Sequence, residues 1–159
     1  LMIRRPPRST LSSSSAASDV YKRQPGLDQT RFFSWPVKKI KDLSTIHDRD
    51  ILAGIVLNPS TSIFTIEELV PYCDIVVVML VNAGLGTTPY ATLDEKVSRV
   101  RKIRSYIGPT TRVQIDGGVN ERSVRDLIEA GADTIVAGSA VFKSDDPKKV
   151  IRALKGGRD

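Results

Sequence analysis

The chain has 159 residues, of which 40% are hydrophobic and 26% are charged, and its formal net charge is +6. This composition supplies the apolar side chains of one domain with a core, and it excludes a chain that is disordered throughout. A single cysteine, Cys73, excludes a disulfide framework, and a single histidine, His47, excludes a metal site built from several histidines within these residues.

The first 24 residues differ from the rest. They hold five basic residues, one acidic residue and six serines, and they show no apolar period of 2 or 3.6 residues, which predicts disorder. The string resembles a translation of sequencing-library adapter, so we expect residues 1–24 to be an artefactual leader and residues 25–159 to be the folded part. An organelle transit peptide is the alternative for this segment.

The net charge indicates no polyanionic partner. Residues 1–24 account for +4 of the +6, so residues 25–159 carry only +2 and lack the clustered basic surplus of a nucleic-acid binder. No run approaches the roughly 18 consecutive apolar residues of a membrane helix. We therefore expect neither nucleic acid nor membrane as a partner.

Short β-branched runs alternate with amphipathic segments along the folded part, which predicts parallel strands joined by crossover helices. A helix over residues 36–47 precedes strands over residues 51–57, 73–81, 112–115 and 134–137. The predicted intervening helices cover residues 65–72, with Thr65 as cap, and residues 94–107. A further helix is capped by Asn120 and ends at Gly131, and the last is capped by Asp146.

Two of these segments carry more specific predictions. Residues 75–81 are apolar at every position, which is typical of a strand covered on both faces, and Cys73 before them is expected to be an inert buried thiol. In the helix over residues 94–107, the basic side chains are expected to form a solvated face. These are Arg99, Arg101, Lys102 and Arg104.

The α/β pattern predicts the last four β/α units of a (β/α)8 TIM barrel. A closed eight-stranded barrel needs at least ~200 residues, so the folded part corresponds to about half of one. An open, doubly wound sheet of four or five strands is the structural alternative.

The chemistry of such a fold lies at the carboxyl ends of its strands, where the loops after the last two strands often hold phosphate. Here those loops are Asp116-Gly117-Gly118-Val119-Asn120 and Ala137-Gly138-Ser139-Ala140. Their glycines let backbone N–H groups approach an anion closely, although tight strand-to-helix turns would also explain them. Asp116 lies at the carboxyl end of its strand, whereas Asp74 and Asp133 lie at the starting ends, the face that serves stability.

Four motifs together resemble the C-terminal half of the ribulose-phosphate 3-epimerase family. They are GIVLNPSTSI at residues 54–63, VVVMLVNAGLG at 76–86, VQIDGGVN at 113–120 and AGADTIVAGSAVF at 130–142. The resemblance implies a (β/α)8 barrel, cytoplasmic or plastid, that interconverts ribulose 5-phosphate and xylulose 5-phosphate. It also implies a small phosphorylated ketose as substrate, a divalent cation (Zn, Fe, Mn or Co) and the possibility of a homo-oligomer.

The resemblance implies a two-base proton transfer in which Asp116 is one of two catalytic aspartates and also a metal ligand. It assigns Gly117, Gly118, Gly138 and Ser139 to the phosphate, Gly84 and Gly86 to the loop that closes over the substrate, and Met79 to the pocket wall. The other aspartate and the two metal-binding histidines belong to strands that this sequence does not contain. We therefore expect the chain by itself to be inactive.

One departure keeps other functions open. The closing loop of the family reads like NPGFGGQ, whereas this sequence has NAGLGTTPY at residues 82–90. A related hexulose-phosphate 3-epimerase is one alternative. The others are a different phosphate-binding barrel without epimerase activity and a half barrel that only binds phosphate or associates with itself.

Overall fold

A computed structural model describes residues 2–4, 37–42, 52–82 and 85–156, and their strands form one five-stranded sheet. The strands are β1 (Met2–Arg4), β2 (Gly54–Leu57), β3 (Ile75–Met79), β4 (Arg112–Asp116) and β5 (Thr134–Val136). The helices are α1 (residues 37–42), α2 (Leu93–Ile107), α3 (Val124–Glu129), α4 (Ser139–Phe142) and α5 (Pro147–Leu154). Two 3-10 helices, Ile63–Ile66 and Val70–Tyr72, lie between β2 and β3.

The strand order distinguishes a partial barrel from a doubly wound sheet. The order across the sheet is β1-β5-β4-β3-β2, and β2 to β5 are parallel neighbours that also follow one another along the chain. A doubly wound sheet reverses its strand order at a switch point, whereas each barrel strand pairs with the next one in sequence. The four parallel strands confirm the α/β class, and their order agrees with four consecutive units of a barrel.

Strand β1 comes from the segment that the sequence predicts to be disordered. It pairs antiparallel with β5, with Ile3 opposite Ile135. Three residues of that segment therefore form an edge strand. Residues 5–24 lie outside the described residues, and the expectation that residues 1–24 are an artefactual leader stays a prediction.

The segment after β2 differs from the helix predicted over residues 65–72. It forms the two 3-10 helices instead, and the cap is Ser62 rather than Thr65: the Ser62 Oγ accepts from the Phe64 N–H at 3.3 Å. Pro71 explains the interruption, because it has no backbone N–H for a continuous helical ladder.

The starts of α2 and α5 follow the prediction closely, whereas α3 begins later than predicted, with Ser123 and not Asn120 as its N-cap. Asn120 Oδ1 accepts from the N–H groups of Arg122 and Ser123 in the turn before α3, and Asp146 Oδ1 accepts from the Lys149 N–H at 3.0 Å at the start of α5. A capping box of Thr92 and Glu95 begins α2, a signal that the sequence analysis missed. None of the helices in the described ranges is long and apolar enough to cross a bilayer.

The sheet has one covered face and one open face. On the covered face Val76, Val78 and Ile115 are 0% exposed, because the chain's helices pack there. On the opposite face Val77 is only partly buried and Val56 is 38% exposed. The prediction that both faces of the strand at residues 75–81 are covered is therefore wrong for the described part of the chain. The burial alternates along β3 with the period of two that a half-covered strand shows.

Two aspartates fix the strands at the amino edge of the sheet, as their positions in the sequence predicted. Asp74 Oδ2 accepts from the Ala53 N–H at 2.9 Å, and Asp133 Oδ2 accepts from the Val113 N–H at 2.8 Å. Asp74 precedes β3 and binds the residue just before β2. Asp133 precedes β5 and binds the second residue of β4. Cys73, beside Asp74, is 6% exposed, which confirms that it is buried, and this burial raises the pKa of its thiol to about 12.

The prediction of a solvated face is wrong for Arg104. Its guanidinium donates to the carbonyl oxygens of Gly108, Thr111 and Gly131 at 2.8–3.0 Å, and it also pairs with the Asp133 carboxylate. A Cβ on Gly131 would lie 2.6 Å from the Arg104 Cγ, so only glycine lets the two segments approach this closely. Arg99 also turns inward and donates to the Thr61 carbonyl at 2.6 Å.

We expect Arg104→Ala to lower the free energy of unfolding by roughly 2–3 kcal/mol, because it leaves three carbonyl groups in two loops without their donor. Arg101→Ala, at an exposed position of the same helix, is the control and should change it by less than about 0.5 kcal/mol. Urea unfolding of the two variants measures the difference. Equal effects would contradict a structural role for Arg104.

Candidate functional site

The carboxyl edge of the sheet brings several predicted site residues together. Asp116, the last residue of β4, is in register with Met79 of β3 and Val136 of β5, and the Leu80 N–H donates to the Asp116 carbonyl at 2.7 Å. Because Ile115 faces the covered side, the side chains of Asp116 and Met79 project from the open face. A carboxylate and a thioether therefore lie side by side at one corner of the open face.

The environment of Asp116 changes its acidity. Its side chain is half-buried, and this burial is the largest influence on its pKa, which it raises above the usual range. A hydrogen bond from the Gly117 N–H acts in the opposite direction and is the smaller effect. A carboxyl group whose pKa is raised toward neutrality is a better proton carrier at neutral pH than a free aspartate.

Gly117 has a structural reason to be glycine. Its φ is +111°, and a Cβ there would lie 2.6 Å from a methyl carbon of Val81. Packing and turn geometry therefore account for Gly117 without a ligand, and its predicted contact with phosphate stays a prediction.

Gly138 differs from Gly117 in both backbone conformation and packing. Its φ is −106°, which other residues adopt, and a Cβ at this position would meet no atom within 4 Å. Neither backbone conformation nor packing within the described residues therefore requires glycine here. Ser139 follows as the exposed first residue of α4. The space in front of Gly138 remains open to a ligand.

The loop after β3 contains the remaining predicted residues. Gly84 lies outside the described residues, and Gly86 has a φ of +65° with open space around it. The Asn82 Nδ2 donates to the Thr87 Oγ1 at 3.2 Å, and the Thr88 Oγ1 donates to the Leu80 carbonyl at 2.8 Å. The two threonines that depart from the family pattern therefore bind the loop to itself.

The donor set for a metal is incomplete in the described part of the chain. No group of three or more His, Cys, Asp or Glu side chains there could hold a metal ion. Among the residues that the structure describes, Asp116 therefore has no neighbouring ligands with which to hold a divalent cation. His47 lies outside the described ranges.

Two basic residues near this edge were missed by the sequence analysis. Lys96 of α2 and Arg122 of the turn after β4 line a cavity of about 250 Å³ together with Gly118 and Asn120. The topology could have identified them, because the first turn of α2 and the loop after β4 both lie at the carboxyl edge of a parallel sheet. The predicted solvated face of α2 comprised Arg99, Arg101, Lys102 and Arg104, and it did not include Lys96.

Comparison with known proteins gives the following relationships. A model of the Ribulose-phosphate 3 epimerase family matches residues 24–142. A ribulose-phosphate 3-epimerase of Aquifex aeolicus is 35% identical over 118 residues, which are 72% of this chain and 52% of the relative. The chloroplastic ribulose-5-phosphate-3-epimerase of Arabidopsis thaliana is 37% identical over 107 residues, 67% of this chain and 38% of the relative. The chain thus spans about half the length, or less, of these curated relatives.

A solved structure is also similar. A chain in the crystal structure of the Amycolatopsis orientalis BexX/CysO complex superposes with a TM-score of 0.52 at 20% identity, and the match covers 76% of this chain and 45% of that chain. At this identity the likeness concerns the fold alone.

The two glycines give a matched pair of tests. Gly117→Ala should lower the free energy of unfolding by about 2–4 kcal/mol, because a Cβ adds a clash with Val81 to an unfavourable backbone conformation. Gly138→Ala should change it by less than about 1 kcal/mol. Chemical denaturation measures both, and a large loss at Gly138 would show that structure, not a ligand, requires that glycine.

Burial of Asp116 predicts a pH-dependent stability. Because its pKa is raised in the folded chain, its ionised form opposes folding at neutral pH, and this cost disappears as the pH falls toward the unfolded pKa of about 3.8. Asp116→Asn should therefore unfold at a higher temperature than the wild type at pH 7, and the gap should narrow toward pH 4. Thermal unfolding followed by circular dichroism measures the gap, and a gap that widens toward acid pH would contradict the account.

Proposed function

The chain belongs to the ribulose-phosphate 3-epimerase family, and we propose that the carboxyl edge of its sheet binds the phosphate end of a small phosphorylated ketose and moves one proton at Asp116. The reaction we propose for the whole protein is the interconversion of ribulose 5-phosphate and xylulose 5-phosphate. A cytoplasmic or plastid location and a homo-oligomeric complete enzyme belong to the same proposal.

The open space at Gly138 carries this proposal. A phosphate needs backbone N–H groups that it can approach without side chains in the way, and Gly138 leaves such room where no structural constraint demands a glycine. It lies two residues beyond Val136, which is in register with Asp116. A sugar phosphate held at Gly138 and Ser139 can therefore extend toward the Asp116 carboxylate.

Asp116 would act on the carbon next to the ketone. Its carboxylate accepts the proton from one face of that carbon, and its raised pKa brings the carboxyl group closer to the acidity that returns a proton at neutral pH. Met79 beside it provides an apolar wall for the carbon chain. The divalent metal that the family uses has only Asp116 as an assigned ligand among the described residues, so we assign the metal no step.

Inversion at that carbon needs a second proton carrier on the opposite face. The described residues contain no cluster of acidic, histidine or cysteine side chains around Asp116. We propose that the second carrier and the remaining metal ligands belong to the other half of a complete barrel, so this chain binds sugar phosphate without turning it over. Metal-dependent epimerisation by the chain, purified free of host epimerase, would overturn this part of the proposal.

A hexulose-phosphate substrate is the second candidate. The observation that favours it is the loop after β3, where Thr87 and Thr88 form hydrogen bonds within the loop in place of the glycine and glutamine of the family pattern. A loop with a different shape accommodates a different sugar. Tighter binding of a hexulose 6-phosphate than of ribulose 5-phosphate would favour this candidate.

We expect the chain to bind ribulose 5-phosphate and not ribulose, because the phosphate provides the main contacts. Gly138→Ala should weaken the binding of ribulose 5-phosphate about tenfold or more, since a Cβ enters the space that the phosphate needs. Isothermal titration calorimetry with both sugars measures this. Equal binding of the two sugars, or unchanged binding by a folded Gly138→Ala chain, would contradict the proposed site.

A further inference from the structure

A small cavity lies beside the loop that follows β4. It has a volume of about 250 Å³ and lies between the first turn of α2 and the turn before α3, with Leu93, Lys96, Gly118 and Arg122 among its lining residues. Pockets for drug-sized ligands start at roughly 300 Å³, so this cavity suits a small anion or one end of a metabolite.

The charge of the cavity is positive. Within the described residues neither Lys96 nor Arg122 has an ion-pair partner, and no lining residue carries a carboxylate. Glu95, the neighbour of Lys96, accepts at Oε2 from the Ala91 and Thr92 N–H groups at the start of α2. Glu121, the neighbour of Arg122, is not among the residues that line the cavity. Two cationic side chains from different elements therefore line one cavity whose other lining residues carry no charge.

The ammonium group of Lys96 lies directly over the glycine loop. A Cβ on Gly118 would be 3.8 Å from the Lys96 Nζ, and nothing else would lie within 4 Å of it. Gly118 has a φ of +65°, so the loop presents bare backbone to the cation. An anion at this position would contact both the Lys96 ammonium group and the exposed backbone of Gly118.

We propose that Lys96 and Arg122 form a binding site for a phosphate monoester or free phosphate in this cavity. Arginine and lysine suit this ligand because charge-assisted hydrogen bonds to phosphate are short and strong. The inference rests on the proposed function, because one possible source of the bound phosphate is the sugar substrate. The other source is a second, independent phosphate. Nothing in the family resemblance assigns a role to either side chain.

Titration of the whole chain with inorganic phosphate tests the site. Lys96→Gln and Arg122→Gln should each weaken phosphate binding about tenfold or more, as expected for the loss of one charge-assisted hydrogen bond. Lys102→Gln and Arg101→Gln, at exposed positions of α2 outside this cavity, are the matched controls and should bind within about twofold of the wild type. Lys96→Arg should retain binding, because the charge and donors remain.

Two results would overturn the proposal. One is unchanged phosphate binding by Lys96→Gln and Arg122→Gln chains that unfold at the wild-type temperature. The other is an equal loss in the control variants, which would show that only the overall charge matters.

Gly138→Ala separates the inference from the proposed function. If Lys96→Gln weakens the binding of inorganic phosphate while Gly138→Ala weakens only that of ribulose 5-phosphate, the cavity holds a second phosphate. If both variants weaken both ligands, the cavity and the glycine loops hold the phosphate of the substrate together. If Gly138→Ala alone has an effect, the proposed function stands and the cavity proposal fails.

Discussion

The register of the parallel sheet is the constraint on which the site depends. At the amino edge the Asp74 carboxylate joins β3 to the start of β2, and the Asp133 carboxylate joins β5 to β4. The Asp74 carbonyl accepts from the Arg112 N–H at 2.9 Å and joins β3 to β4. A slip of one residue would turn every side chain to the other face, so the strand register determines what meets at the carboxyl edge. The pairing of β3 with β4 places Asp116 beside Met79, and the pairing of β4 with β5 puts Gly138 just beyond the neighbouring strand end.

The core and the proposed binding site lie on opposite faces of the sheet. The fully buried side chains lie on the helix-covered face, whereas the open face keeps apolar but partly exposed residues such as Val77 and Met79. In a barrel of sequentially paired strands the uncovered face is the interior. This agrees with a chain that spans about half of its relatives, and the half-buried Asp116 lies on the face that would line the interior of a complete barrel.

Local patterns predicted the fold well because they act over a few residues. β-branched runs gave the strands, and Asp146 is the cap that the sequence predicted, whereas Asn120 stabilises the turn before α3. Pro71 was a local signal that was missed, and it divides the helix predicted after β2. Arg104 and Lys96 could not be separated from Arg101 by periodicity, because their contacts join segments far apart in sequence. For the same reason the sequence located Asp116 and Gly138 but could not show that Gly117 is required by Val81.

The central claim is that one small region of the carboxyl edge binds phosphate. The most direct measurement is a titration of the ¹⁵N-labelled chain with ribulose 5-phosphate, followed by the shifts of its backbone amide resonances. We expect the largest shifts at the amides of Gly118, Gly138 and Ser139. Shifts centred on the Asp74 and Asp133 edge, or no shifts at all at millimolar ligand, would contradict it.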